Sequence, residues 1–149
     1  MSSSLLPKIL PVLDDTYSGT LLRYSGGGTT VAQQAVVDVL RKPFPELMRD
    51  LVLAPIGLKN STYEQPLPTS RMKQAATGHL SNGHAILGLW HIYPEMAAAG
   101  LWSTPSDLAT LGIEVQMALK GDTRRLLLPE TVHQMLTPQN NEPIGILFS

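Results

Sequence analysis

The sequence has no cysteine, no long apolar run and no excess of either charge. The lack of cysteine excludes disulfides and thiolate metal sites. Eleven basic residues are balanced by twelve acidic ones, so no basic surface for nucleic acid is expected. No apolar run approaches the roughly 20 residues that span a bilayer. The opening residues have neither the positive start nor the small-residue cleavage site of a signal peptide, which makes a cytoplasmic location the default expectation.

The length of the chain suits one ordinary domain. It has 149 residues, of which 43% are hydrophobic, so a single domain over residues 1–149 with a real core is expected. Twelve glycines and twelve prolines favour short elements joined by irregular backbone. We therefore expect a mainly α fold with irregular loops, and residues 58–92, which have no sustained period, to form a long irregular excursion.

Apolar spacing and capping residues predict four helices. The glycines at 26–28 form a permissive turn, after which Thr29 or Thr30 can cap the first helix. Thr104 is the best cap in the chain, with Pro105 at the first helical position and Asp107 at the capping-box position. The predicted helices run from residue 29 or 30 to about 41, from about 45 to 53, from 105 to the stop at Gly121, and from about 129 to 136.

Each long helix carries apolar residues that are expected to be buried. These are Val31, Ala35, Val36, Val39 and Leu40 in the first, Leu47, Met48, Leu51 and Val52 in the second, and Leu108, Leu111, Val115, Ala118 and Leu119 in the third. Residues 144–148 are typical of a short buried strand without a nearby partner strand. Because a strand must be paired, another copy of the chain is an expected partner, which indicates a homo-oligomer.

Tyr24 opens the glycine turn, directly before Ser25 and Gly26. Taken alone, this pattern fits a partly buried tyrosine beside a loop. A phosphate-cradling loop is disfavoured, because the glycines lack the lysine and hydroxyl residue that end such loops. Two histidines, His79 and His84, are five residues apart, but no nearby carboxylate completes a metal site, so loop histidines are the favoured interpretation and no metal or cofactor is predicted.

Five segments, in this order, resemble the serine β-lactamase-like hydrolases, that is, class C β-lactamases, penicillin-binding proteins and related esterases. Together they cover most of residues 20–137, and the block at 93–108 is the most specific. The segments are residues 23–29, 53–58, 75–79, 93–108 and 128–132. The resemblance implies the helical domain of the β-lactamase/transpeptidase-like fold, because the family's catalytic domains are more than twice as long as this chain.

The resemblance also implies roles for residues. Tyr24 corresponds to the tyrosine that handles the proton of an attacking serine, Ser25 and Gly26 to substrate-binding positions, and Ala98 and Ala99 to one wall of the acyl pocket. Gly26 departs from the asparagine usual in lactamases, which favours esterase or peptidase-like branches. The family's Ser-x-x-Lys motif before the tyrosine and its Lys-Thr-Gly or His-x-Gly strand are not in their expected places. A free tyrosine has a pKa of about 10 and needs cationic neighbours to act as a base.

The expected function is thus a partial member of this acyl-transfer family for ester or amide substrates, with little or no hydrolase activity alone. One alternative is a non-catalytic, self-associating or binding module. A weaker one is a minimal esterase with Ser70 as nucleophile, because Ser70 and Lys73 have Ser-x-x-Lys spacing and would share one face of a helix. That motif follows the tyrosine in a polar stretch, where a solvated turn or short helix is favoured.

Overall fold

A computed structural model describes residues 17, 24–122 and 125–138. This part of the chain is mostly helical, and it contains two isolated antiparallel bridges, Thr62 with Trp102 and His79 with Ala85, but no strand. None of its helices is both long and apolar enough to cross a membrane. The predicted strand at 144–148 lies outside the described residues. The helices are α1 (Gly26–Leu40), α2 (Phe44–Met48), α3 (Met96–Ala99), α4 (Pro105–Leu119) and α5 (Pro129–Leu136).

Helix α1 begins earlier than the sequence predicts. Ser25 is extended and its Oγ accepts a hydrogen bond from the Gly28 amide at 2.9 Å, so Ser25 is the N-cap and the glycines form the first helical turn. The prediction of Thr29 or Thr30 as the cap is therefore wrong. Both hydroxyls instead donate to backbone carbonyls four residues earlier. The helix ends at Arg41, which adopts the left-handed conformation with φ of 53°.

The apolar face of α1 is not buried, contrary to the prediction. The helix contains no buried residue, and Val39 is 78% exposed. Helix α1 contacts α2 and α3, and these contacts leave the large apolar residues of this face exposed. Periodicity identifies an apolar face but not what covers it. The other large apolar residues of this face are Val31, Val36 and Leu40, which are 58%, 42% and 46% exposed.

The second predicted helix is present, but it changes type midway. Helix α2 is followed by a π-helical turn at Arg49–Leu53, which closes with a hydrogen bond from the Ala54 amide to the Arg49 carbonyl at 2.9 Å. Leu53 packs with Ile56 and Leu58 in the core cluster, against which Tyr63 and Leu111 also pack. Leu47 is buried as predicted, whereas Leu51 is 54% exposed because the wider turn rotates the later residues relative to a regular α-helix.

Helices α4 and α5 have the predicted bounds and pack on one another. Thr104 is the N-cap of α4, as predicted, with its Oγ1 accepting from the Asp107 amide at 3.3 Å. Gly121 has φ of +79°, which suits a helix stop. Leu108, predicted to be buried, is 49% exposed, since the buried side of the first turn is occupied by Asp107 instead. The excursion at 58–92 is irregular as predicted, apart from a 3-10 turn at Met72–Gln74.

Candidate functional site

Tyr24 precedes the first turn of α1 and points its side chain largely into solvent. The residue is 82% exposed, and within the described part of the chain its hydroxyl makes no hydrogen bond. Its neighbour Ser25 uses its hydroxyl oxygen as the N-cap acceptor, which fixes the backbone next to the tyrosine. Gly26 has open space around the position that a Cβ would take. The three predicted site residues are thus adjacent at the start of α1, where Tyr24 and Ser25 are exposed and Gly26 is half-buried.

The predicted pocket-wall residues lie on α3, which contacts α1. Ala98 and Ala99 are both exposed, and each donates its amide to the Glu95 carbonyl, at 3.1 and 2.9 Å. Gln33 of α1 reaches across to the segment that precedes them. Its Nε2 donates to the Pro94 carbonyl at 3.2 Å and its Oε1 accepts from the Ala97 amide at 2.7 Å. The structure therefore joins the helix that follows Tyr24 to the helix that carries Ala98 and Ala99.

The far end of α3 is held by a different loop. A Cβ on Gly100 would lie 2.6 Å from the Met96 Cα, so only glycine fits there. Gln65 donates its Nε2 to the Gly100 carbonyl at 3.0 Å, and Thr62 and Trp102 exchange two backbone hydrogen bonds at 2.9 Å. Neither Gln33 nor Gln65 was predicted as part of the site. A glutamine in a helix or loop carries no motif, so no signal in a single sequence marks these two residues.

A buried carboxylate anchors this loop to α4. Asp107, only 6% exposed, accepts hydrogen bonds from the Asn60 amide at 2.9 Å and from the Ser61 hydroxyl at 2.7 Å. Ser61 Oγ is also 2.8 Å from Ser103 Oγ. Burial by itself would raise the pKa of Asp107, but hydrogen bonds from Ser61, Asn60 and Thr104 together leave that pKa below its ordinary value of 3.8. This network is a structural brace for the loop that holds Gly100.

Ser70 and Lys73 do not lie on one helix. Ser70 is exposed in a turn that precedes the 3-10 turn at Met72–Gln74, and no hydrogen bond joins the two side chains within the described residues. A cavity of about 430 Å³ lies nearby, between residues 60–76 and 101–105, but neither Ser70 nor Lys73 lines it. The arrangement fits the predicted solvated turn better than an activated nucleophile.

His79 and His84 flank a tight turn. Leu80 donates its amide to the His84 carbonyl at 2.8 Å, and the His84 amide donates to Asn82 Oδ1 at 3.0 Å. Among the described residues, no three histidine or carboxylate side chains gather in a group that could hold a metal ion. The two histidines are exposed loop residues here.

Several solved structures share the fold of this chain. The chain is similar to the beta-lactamase/D-alanine carboxypeptidase from Pseudomonas syringae, with a TM-score of 0.59 and 16% identity over 76% of this chain and 30% of that chain. It is similar to the octameric penicillin-binding protein homologue from Pyrococcus abyssi, with a TM-score of 0.58 and 20% identity over 80% and 26%. It is also similar to the D-amino acid amidase from Ochrobactrum anthropi, with a TM-score of 0.55 and 22% identity over 78% and 35%.

The family model described as Beta-lactamase matches residues 10–145. The chain belongs to the beta-lactamase family, and the resemblance found in its sequence is confirmed. No curated protein matches the chain. The chain spans 30% of the Pseudomonas syringae protein, 26% of the Pyrococcus abyssi protein and 35% of the Ochrobactrum anthropi amidase. The structural match therefore covers only a part of each of these relatives.

Proposed function

We propose that this chain is the tyrosine-bearing helical lobe of a serine-dependent acyl-transfer hydrolase that acts on ester or amide substrates. The observation that carries the proposal is the placement of Tyr24. Its phenol is exposed at the start of α1, on a backbone fixed by the Ser25 cap. Helix α3, with the exposed Ala98 and Ala99, is tied to α1. The two segments that the resemblance assigns to proton handling and to the acyl pocket therefore belong to one connected unit.

In this proposal Tyr24 accepts the proton of a serine hydroxyl as that hydroxyl attacks the carbonyl carbon of the substrate. A phenol does this at neutral pH only when nearby cations stabilise its anion. Within the described residues the Tyr24 hydroxyl has no hydrogen-bonded lysine or arginine. We therefore expect the 149-residue chain by itself to hydrolyse esters slowly or not at all.

A 4-nitrophenyl ester assay tests this expectation directly. The chain, Tyr24→Phe and Ser70→Ala would be compared with buffer, using acetate and butyrate esters. Release of 4-nitrophenolate at the buffer rate in all three samples is the expected result. Turnover that is lost in both Tyr24→Phe and Ser70→Ala would overturn it and would support the minimal esterase. A fluorophosphonate probe followed by peptide mapping gives a second readout, because an adduct at Ser70 would identify an activated hydroxyl.

Self-association is a second candidate function, favoured by the exposed apolar face of α1. A 15-residue helix with no buried residue leaves valines in contact with water, and such faces are commonly covered by a partner. One solved relative is described as octameric. Sedimentation of the chain, Val39→Lys and Gln34→Lys would test this. We expect the unsubstituted chain and the control Gln34→Lys to sediment as an oligomer and Val39→Lys to sediment as a monomer. A monomeric unsubstituted chain would refute self-association through this face.

A further inference from the structure

Helix α3 has only four residues and lacks a side-chain cap of its own. Its N-cap residue, Glu95, makes no capping hydrogen bond. The first amides of any helix have no partner within that helix, and a short helix has few other bonds to maintain it. For Ala97, the acceptor is supplied by another helix, because its amide donates to Gln33 Oε1 at 2.7 Å.

The same Gln33 side chain also serves the residue that leads into α3. Its Nε2 donates to the Pro94 carbonyl at 3.2 Å, which also accepts from the Met96 amide at 2.9 Å. A carboxamide is the group suited to this task, because it presents one donor and one acceptor from a single planar end. Leucine, whose side chain is one atom shorter, would have neither, and glutamate would keep only the acceptor.

We propose that Gln33 is a positioning residue, which caps α3 from α1 and thereby fixes Ala98 and Ala99 relative to Tyr24. The functional roles of Tyr24, Ala98 and Ala99 rest on the proposed function. The two hydrogen bonds that Gln33 makes to Pro94 and Ala97, here called the clamp, are a property of the fold. Because α1 is a single 15-residue helix that begins just after Tyr24, a change at its contact with α3 alters the distance from Tyr24 to Ala98 and Ala99. Gln33 touches no substrate in this proposal.

Amide hydrogen exchange measured by NMR tests the clamp. In Gln33→Leu the Ala97 amide loses its acceptor, and we expect it to exchange roughly 3- to 10-fold faster, the change that one ordinary hydrogen bond is worth. Gln34 is the matched control, because it is the next residue on α1 and its side chain donates within the helix, to Asp38 Oδ1 at 2.8 Å. Gln34→Leu is expected to leave the Ala97 amide unchanged.

Distances between spin labels test the positioning itself. The chain has no cysteine, so cysteines placed at Val39 and Ala99, both exposed, would be the only label sites. We expect one narrow distance distribution in the unsubstituted background and in Gln34→Leu, and a broader or shifted one in Gln33→Leu. The urea midpoint would be measured in parallel, because a merely structural role would lower the midpoint and speed exchange throughout α1.

The conservative variant keeps the proposal falsifiable if Gln33→Leu fails to fold. Gln33→Glu retains the acceptor for Ala97 and loses the donor to Pro94, so we expect slow Ala97 exchange with an intermediate distance distribution. Unchanged exchange and distances in both Gln33 variants would overturn the proposal. Neither readout needs hydrolysis, so an inert chain does not affect them. Tyr24→Phe should leave both readouts unchanged, which separates failure of the clamp from failure of the proposed function.

Discussion

Removing the Asp107 carboxylate should destabilise the chain substantially, because it is buried and accepts two short hydrogen bonds. These come from the Asn60 amide at 2.9 Å and the Ser61 hydroxyl at 2.7 Å, and a longer one comes from Asn60 Nδ2 at 3.4 Å. A hydrogen bond to a charged group contributes about 1.5–3 kcal/mol. Asp107→Ala leaves the Asn60 amide without its acceptor and leaves the Ser61 hydroxyl only the neutral Ser103 Oγ at 2.8 Å. We therefore expect it to lower the free energy of unfolding by about 3 kcal/mol.

Asp107→Asn separates the charge from the shape of this side chain. Asparagine keeps one oxygen for the two short bonds but turns an NH2 group toward the Asn60 amide group. We expect a loss of about 1–2 kcal/mol at neutral pH, which corresponds to a fall in Tm of roughly 2–8 °C for a chain of this size. Urea unfolding followed by tryptophan fluorescence measures the effect. Asp122→Asn, at an exposed acid, is the matched control and should change little.

The pH dependence of this loss has a definite sign. The folded pKa of Asp107 lies below the ordinary value of 3.8, so its stabilising contribution is complete above about pH 5. It is lost as the pH falls through the folded pKa, where the carboxyl becomes neutral. The difference in stability between the unsubstituted chain and Asp107→Asn should therefore shrink below about pH 4. A difference that is absent at pH 7, or that grows as the pH falls, would refute this reasoning.

Two further predictions use pairs of matched variants. Gly100→Ala should lower the free energy of unfolding by about 1–3 kcal/mol, because the new Cβ meets backbone at 2.6 Å. Gly112→Ala, in α4 with open space around the new Cβ, should raise that free energy by about 0.5–1 kcal/mol. Equal changes for Gly100→Ala and Gly112→Ala in urea unfolding would contradict the close packing at Gly100. Ser25→Ala should cost about 0.5–2 kcal/mol as the loss of an N-cap. Thr29→Ala should destabilise the chain less than Ser25→Ala does. If thermal unfolding showed the larger destabilisation for Thr29→Ala, it would favour Thr29 as the cap, as the sequence predicts.

Local signals in the sequence predicted the helices well where cap and period agreed. Thr104, Pro105 and Gly121 set the bounds of α4, because their backbone preferences act over one helical turn. The start of α1 was predicted several residues late, since both threonines and Ser25 are acceptable caps. Short-range preference could not choose between them. Helix α3 was not predicted at all, because four residues carry no measurable period and its capping acceptor comes from Gln33.

The sequence by itself determined the family, the order of α1, α2, α4 and α5, and the position of Tyr24 within its motif, since all of these depend on residue types at fixed spacing. The tertiary structure decided which apolar faces are covered and which side chains support the site. Val39 is exposed and Asp107 buried, the reverse of what hydropathy predicts, because burial depends on what lies opposite a residue in space. Gln33 and Gln65 act across 61–64 and 35 residues of chain, a separation over which a single sequence carries no pairing information.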